Sequence, residues 1–331
     1  MNPYRILRFV FRMTWRRLRA CILRIRGANV GRRVQIGKVR FINVELSRVS
    51  IGDGAVLDDG VVFKDIDRVE IGDYVKIHRE TRVEGIETDK HSIHIGHNSW
   101  IGEDTIINCH ETVAIGNNVG IGCRSQIWSH GYFPSILDGL PFKIAPVSIG
   151  DDCWLPPSCV VLPGVTIGER CIIGTGSLVT NSIEAGSFAT GIPCKAKKSV
   201  DELIRRPSDA VRQRMLSEKL TDYFRNFGFQ VTALDLGNTR SLSCRFFLFR
   251  FTILICIKDV PAKLPSGNLV LITETPAASP AAGHQTFISL ENRSYTKQGT
   301  RHEAMTIRAL HDMCLVRLLP DAVARMDRSD T

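Results

Sequence analysis

No acidic residue occurs in the first 44 positions, although the same stretch holds eleven arginines and Lys38. The whole chain of 331 residues carries +9, so everything after position 44 sums to −3. An anionic partner is therefore a matter for the start of the chain and not for its body. No apolar run approaches the ~20 residues of a membrane-spanning helix, and none forms the core of a signal peptide. Aromatics make up only 7% of the residues and no recognition fold accompanies the basic segment, which argues against nucleic acid as a partner. The ten cysteines show no even, spaced framework, so reduced thiols in the cytoplasm are expected. Hydrophobic content of 44% and charged content of 23% exclude collagen-like, disordered and polytopic membrane classes. The length suggests two domains.

The basic start reads as one helix over residues 3–26. Arg5, Arg8, Arg12, Arg16 and Arg19 recur at helical spacing and share a face. Leu7, Phe11, Trp15, Leu18, Ile22 and Ile25 form a second stripe of the same period. Such a helix suits an anionic membrane interface, or packs on its own protein with the arginines solvated. The first reading places the chain at the inner face of the cytoplasmic membrane, as a peripheral protein.

A six-residue period dominates the next part of the chain. Hexads begin at Ile149, Leu155, Val161, Ile167, Ile173, Val179 and Ala185. Their fifth residues are Cys153, Cys159, Val165, Cys171, Ser177, Ile183 and Ala189, all small or apolar. Upstream, Ile51, Ile71, Ile95 and Ile115 each precede a glycine at steps of 20, 24 and 20. Neither an amphipathic helix nor an alternating strand has this period. Three short strands per turn do: they build a triangular prism whose leading aliphatics point inward. Glycine after the leading residue suits a tight corner. The expected fold is mainly β, a parallel β-helix of coils over about residues 30–190.

The stretch APVSIGDDCWLPPSCVVLPGVTIGERCIIGTGSLVTNSI (145–183), followed by GIPCKAKK (191–198), resembles the left-handed β-helix hexapeptide-repeat acyltransferases. The resemblance covers about half the chain and implies a left-handed coil, homotrimers and acetyl-CoA as acyl donor, without a metal. It implies an O-acetyltransferase acting on a sugar of an envelope glycan or its precursor. Two other readings stay open: N-acylation of an amino sugar, and a non-catalytic scaffold at the membrane.

The hexads break off after Ile127, and the proline-bearing segment 131–146 should project from the prism. His130 sits where the repeat opens, and the resemblance makes it the catalytic histidine. An imidazole of ordinary pKa ~6.5 is suited to remove the proton of a poorly nucleophilic sugar hydroxyl during attack on a thioester. Ser129 and Tyr132 flank it and name no orienting partner. By the same resemblance Trp154 walls the CoA groove, and Gly174, Gly176 and Ser177 let the backbone approach the pantetheine arm. Lys195 and Lys198 meet the nucleotide phosphates. Pro156 and Pro157 depart from the family's pattern and remove two N–H donors at the groove, and Asn181 stands where a basic residue is common. His91, His94, His97 and His110 do not converge as a zinc set and read as outward and solvated. Cys109 and Cys123 have no adjacent base that would make a nucleophile.

Two domains behind a basic segment are expected: a basic helix over 1–29, the β-helix over 30–198, and a small α/β or α+β domain over 199–331. The last should hold a helix at about 208–227, one or two strands within 245–260, strands at 268–274 and 285–291, and a helix at 302–319. No motif of chemistry is visible there.

Overall fold

The computed structural model describes residues 3–87, 91–131, 143–235, 239–246, 249–256, 269–273, 285–290, 294–295, 300–314 and 319–320. The chain divides into two compact units, Met1–Ile204 and Arg205–Thr331.

In the first unit the three-strand turn is present seven times over. One face stacks Asn29–Val30, Val49–Ile51, Arg68–Ile71, Ser92–Ile95, Val113–Ile115, Val147–Ile149 and Thr166–Ile167. The pairing is parallel, with Ile51 on Ile71, Ile71 on Ile95, Ile95 on Ile115 and Ile115 on Ile149. The second face stacks the strands that follow in each coil, among them Trp100–Ile101, Gly120–Ile121, Trp154–Leu155 and Ile172–Ile173. The third contains Arg82–Glu84, Ile106–Asn108, Gln126–Trp128, Val160–Val161 and Leu178–Val179. An antiparallel pair, Ser187–Gly191 with Cys194–Ser199, closes the stack. Leading aliphatics such as Ile95, Ile115, Leu155 and Ile173 are buried in one continuous core with Cys153, Cys159 and Cys171. Burying one such side chain contributes roughly 1.5–3 kcal/mol, and only the neighbouring coils make that burial possible.

The glycine after the leading residue has a different reason from the expected one. The left-handed turn falls at the fourth hexad position, at Gly54, Tyr74, Asn98, Asn118, Asp152, Arg170 and Gly176. The second-position glycines instead allow backbones to approach across coils. A Cβ on Gly52 would meet the Asp73 nitrogen at 2.5 Å, and one on Gly122 the Pro157 nitrogen at 2.2 Å. Beside these glycines runs a ladder of side-chain acceptors. Asp53 N–H donates to Asp73 Oδ1 (2.7 Å), Asp73 N–H to His97 Nδ1 (2.9 Å), and His97 N–H to Asn117 Oδ1 (2.9 Å). His97 is thus a rung of the corner and not a solvated surface histidine. His91 and His94 likewise have carboxylate partners, Glu111 at 2.8 Å and Glu70 at 3.3 Å.

Helix α1 spans Pro3–Ile25 and ends at Gly27, whose φ of +103° favours a residue without Cβ. Its inner face buries Ala20 and Leu23 in the β-helix core, against the first coil. Arg16 ion-pairs with Asp58 (2.9 Å) and Asp59 (3.7 Å) and is largely covered. Arg16 therefore faces the protein and not solvent. Burial pushes the Asp58 carboxyl up, but hydrogen bonds from His78 and Arg16 outweigh it and hold the group at about 2.

Among the described residues, the second unit is a mixed seven-stranded sheet with two helices. The sheet runs Gln230–Asp235, Thr239–Phe246, Phe249–Cys256, Leu269–Thr273, Gln285–Ser289, Ser294–Tyr295, Leu319–Pro320, in that order. The first three strands are antiparallel neighbours, and the next two join parallel. Helix α2 (Asp209–Asn226) lays Leu216, Leu220 and Phe224 inward, and Phe224 meets the ring of Phe251 at 5.2 Å. Met215 on the same helix is half exposed. Helix α3 covers Arg301–Cys314 and stops short of the expected 319, because Leu319–Pro320 is a strand.

Candidate active site

The third face carries the chain to the point where the repeat opens. After Gln126–Trp128, the pair His130–Gly131 turns away from the coil and returns antiparallel as Lys143–Ile144. Tyr132 and the rest of the segment between those strands lie outside the described residues. Ser129 anchors the departure. Its buried Oγ donates to the Asn108 carbonyl (2.8 Å) and accepts from Glu111 N–H (2.9 Å). One coil is thereby tied to the next at the base of the site.

Asn108 is the orienting group that the sequence did not name. His130 Nδ1 and Asn108 Oδ1 are 2.7 Å apart. An amide oxygen only accepts, so Nδ1 donates and Nε2 is the basic nitrogen of this tautomer. His110 stacks on His130 with ring centroids 3.8 Å apart and planes 16° from parallel, and Trp128 contributes an edge at 5.7 Å. Burial lowers His130 below the ordinary imidazole value. His110 is lowered too, by burial and then by His130 and His91. Neutral imidazole is the form that can accept a proton, and this packing favours it.

His130 opens on a cavity of about 420 Å³ whose lining includes Trp128, Lys143, Val160, Leu162, Pro163 and Thr180. Its apolar wall and single histidine edge are suited to a small acyl group beside a proton acceptor. Cys109 cannot compete as nucleophile, because complete burial raises its thiol.

The other candidates stand apart from this cavity. Trp154 is 53% exposed on the second face, between Gly120 and Ile172. Gly174 has no room for a side chain: a Cβ would meet Thr190 Oγ1 at 2.1 Å. Gly176 takes φ +69° with open space around it. Ser177 is buried, and its hydroxyl donates to the Gly174 carbonyl (2.7 Å) and accepts from Gly191 N–H (3.1 Å). That hydroxyl braces the coil. Lys195 and Lys198 are exposed on the closing strand, and Lys198 borders a second hollow with Arg170 and Lys197. Pro156 withholds the donor that Gly122 and Gly174 use to reach the next coil at Leu155 O and Ala189 O. Among the described residues no group of three His, Cys, Asp or Glu could hold a metal ion.

Asn108 and His110 lie 22 and 20 residues before His130, which is one coil back. That offset was the available signal.

Residues 146–181 match the family model of the bacterial transferase hexapeptide, six repeats. Among curated proteins the chain is similar to a galactoside O-acetyltransferase of Escherichia coli (strain K12), at 32% identity over 113 residues. That match takes in 34% of this chain and 56% of that protein. The chain spans about half the length, or less, of the curated relatives it matches. A hexapeptide-repeat acetyltransferase from Vibrio cholerae, solved with acetyl coenzyme A, aligns at a TM-score of 0.31 and 17% identity, over 55% of this chain and 75% of that one. A maltose O-acetyltransferase from Clostridium difficile 630 aligns at 0.27 and 23%, over 55% and 74%.

Proposed function

The chain carries the bacterial transferase hexapeptide repeat, and from that premise we propose that it transfers an acetyl group from acetyl-CoA to a hydroxyl of a sugar. The observation that carries this reading is His130 held through Nδ1 by Asn108 at 2.7 Å, on the edge of a cavity where the coil opens. Nε2 takes the hydroxyl proton as its oxygen attacks the thioester carbonyl. The tetrahedral intermediate then collapses, the C–S bond breaks, and the imidazolium returns the proton to the departing thiolate. No covalent intermediate on the protein is needed. The exposed indole of Trp154 and the exposed Lys195 and Lys198 fit a thioester donor with a phosphorylated nucleotide end. Gly174, Gly176 and Ser177 fit close passage of an extended arm along the backbone, with the Ser177 hydroxyl bracing that stretch.

We place the acceptor in an envelope glycan or its precursor, and the working unit as a homotrimer in the cytoplasm, at a membrane face. The similarity to a galactoside O-acetyltransferase supports a sugar acceptor and an oxygen nucleophile.

Acetyl-CoA turnover with a panel of sugars and amino sugars tests the proposal. His130→Ala should lose at least 100-fold in kcat (about 2.7 kcal/mol). Unimpaired turnover in that variant would remove the assignment, and turnover of amino sugars alone would make the protein an N-acyltransferase.

A further inference from the structure

Packing α1 on the first coil uses only one side of the helix. Ala20, Leu23 and Arg16 point inward. Phe11, Trp15, Leu18, Ile22 and Ile25 remain on the outside, with exposures of 62%, 46%, 45%, 45% and 85%. At ~100° per residue these five fall within an arc of about 80°, centred roughly 150° from the buried face. A core-packing amphipathic helix has its large apolar residues on the inner side; this one has them on the outer side. Arginines border the ridge on both flanks, with Arg19 and Arg26 on one and Arg17 on the other, while Arg24 turns back to donate to the Val30 carbonyl (2.7 Å). No carboxylate occurs in the helix.

A shallow hollow of about 200 Å³ continues the ridge onto the first coil. Ile22, Val39, Phe41, Val44 and Leu46 line it, and Arg19 and Arg26 stand among them.

We propose that the outer face of α1, with this hollow, docks on an anionic phospholipid surface. The five apolar side chains would enter the acyl boundary, and the flanking guanidiniums would meet lipid phosphates. Charge decides between a bilayer and a second copy of the chain. Two copies meeting ridge to ridge would bring arginine flanks together with no acidic residue on either helix to offset them, whereas an anionic bilayer neutralises every one. Trp15 adds an aromatic ring suited to the headgroup level. The proposal deepens the placement at a membrane face and does not depend on acyl transfer.

The full chain is tested by co-sedimentation with vesicles of phosphatidylcholine alone and with 30% phosphatidylglycerol, at low and high salt. Binding should require the anionic lipid and weaken as salt rises. Each exposed arginine adds roughly fivefold to partitioning, so Arg17→Glu with Arg26→Glu should lower it at least 25-fold. Phe11→Ser with Trp15→Ser and Ile22→Ser should lower it by a similar factor. All five positions are exposed, so circular dichroism and melting temperature should stay as in the unaltered chain. Equal binding to both vesicles, or to neither, overturns the proposal. So does lipid-independent self-association in sedimentation velocity that the serine variant abolishes, since the ridge would then join copies of the chain. Acetyl-CoA turnover on a soluble sugar, measured alongside, reports on the acyltransferase reading separately.

Discussion

The bond between Asn108 and His130 permits a quantitative test of the proposal that His130 is the base and Asn108 orients it. Replacing Asn108 by Ala removes the acceptor on Nδ1 and leaves the stacked His110 ring in place. A neutral hydrogen bond contributes about 1 kcal/mol net, roughly fivefold in rate at 1.36 kcal/mol per decade. Misplacing Nε2 by an ångström can cost a further order of magnitude or more, because proton removal needs hydrogen-bond distance. Together these give a fall in kcat of about 10- to 100-fold with KM for acetyl-CoA little changed. Asn108→Asp separates orientation from charge. It retains an acceptor but adds a negative charge beside Nδ1, which favours imidazolium. Burial holds the native His130 below the usual imidazole range, so in the unaltered protein the acid limb of kcat/KM lies below ~6.5. In the Asp variant that limb should rise by about one pH unit, discounted for a site that water reaches. Stopped-assay pH profiles of the three proteins provide the measurement. An Ala variant within twofold of the unaltered kcat, or an Asp variant with an unmoved limb, would show that Asn108 does not prepare the base.

Two glycines should respond to alanine in opposite degree. Gly122→Ala drives a Cβ into the Pro157 nitrogen at 2.2 Å and should cost 3 kcal/mol or more, read as lost soluble protein or a large fall in melting temperature. Gly176→Ala meets open space but keeps φ +69°, so it should cost only about 1–2 kcal/mol. Asp58, held at about 2 against 3.8 in an unfolded chain, supplies stability that is fully present above pH ~4 and is lost as pH falls towards 2. With part of the shift discounted for solvent, that amounts to on the order of 1–2 kcal/mol, and acid titration of unfolding should show the window vanish in Asp58→Asn.

The hexads were legible because their constraint is local and repeated. A leading Ile and a small fifth residue must recur for any coil to stack, so Ile149 to Ala185 declares the fold. The same logic located the opening at His130. Asn108 stayed hidden because its relation to His130 depends on coil length, and the coils before Ile149 carry insertions that blur the count. The reason for the glycines was also hidden, since a clash with the next coil cannot be seen from one coil's residues. In the second unit, Gln230–Asp235 and Thr239–Phe246 escaped notice because small polar residues interrupt their alternation; pairing with Phe249–Cys256 makes them strands. Residues 315–319 continue an apolar helical pattern, yet position 319 pairs with Ser294 in the sheet. Tertiary context overrides the periodicity there.

Stacked coils also measure length. The strand carrying Trp128, just before His130, is the fifth of seven on its face. At ~4.8 Å per coil the cavity therefore stands four steps, about 19 Å, along the stack from the coil that α1 covers. The prism is a spacer with a fixed increment. A surface gripped by α1 would present acceptors to His130 only if their reactive sugar extended about that far, as several linked sugars would. Removing or adding one whole coil between Ile71 and Ile95 would change the reach by a single step while keeping every rung in register.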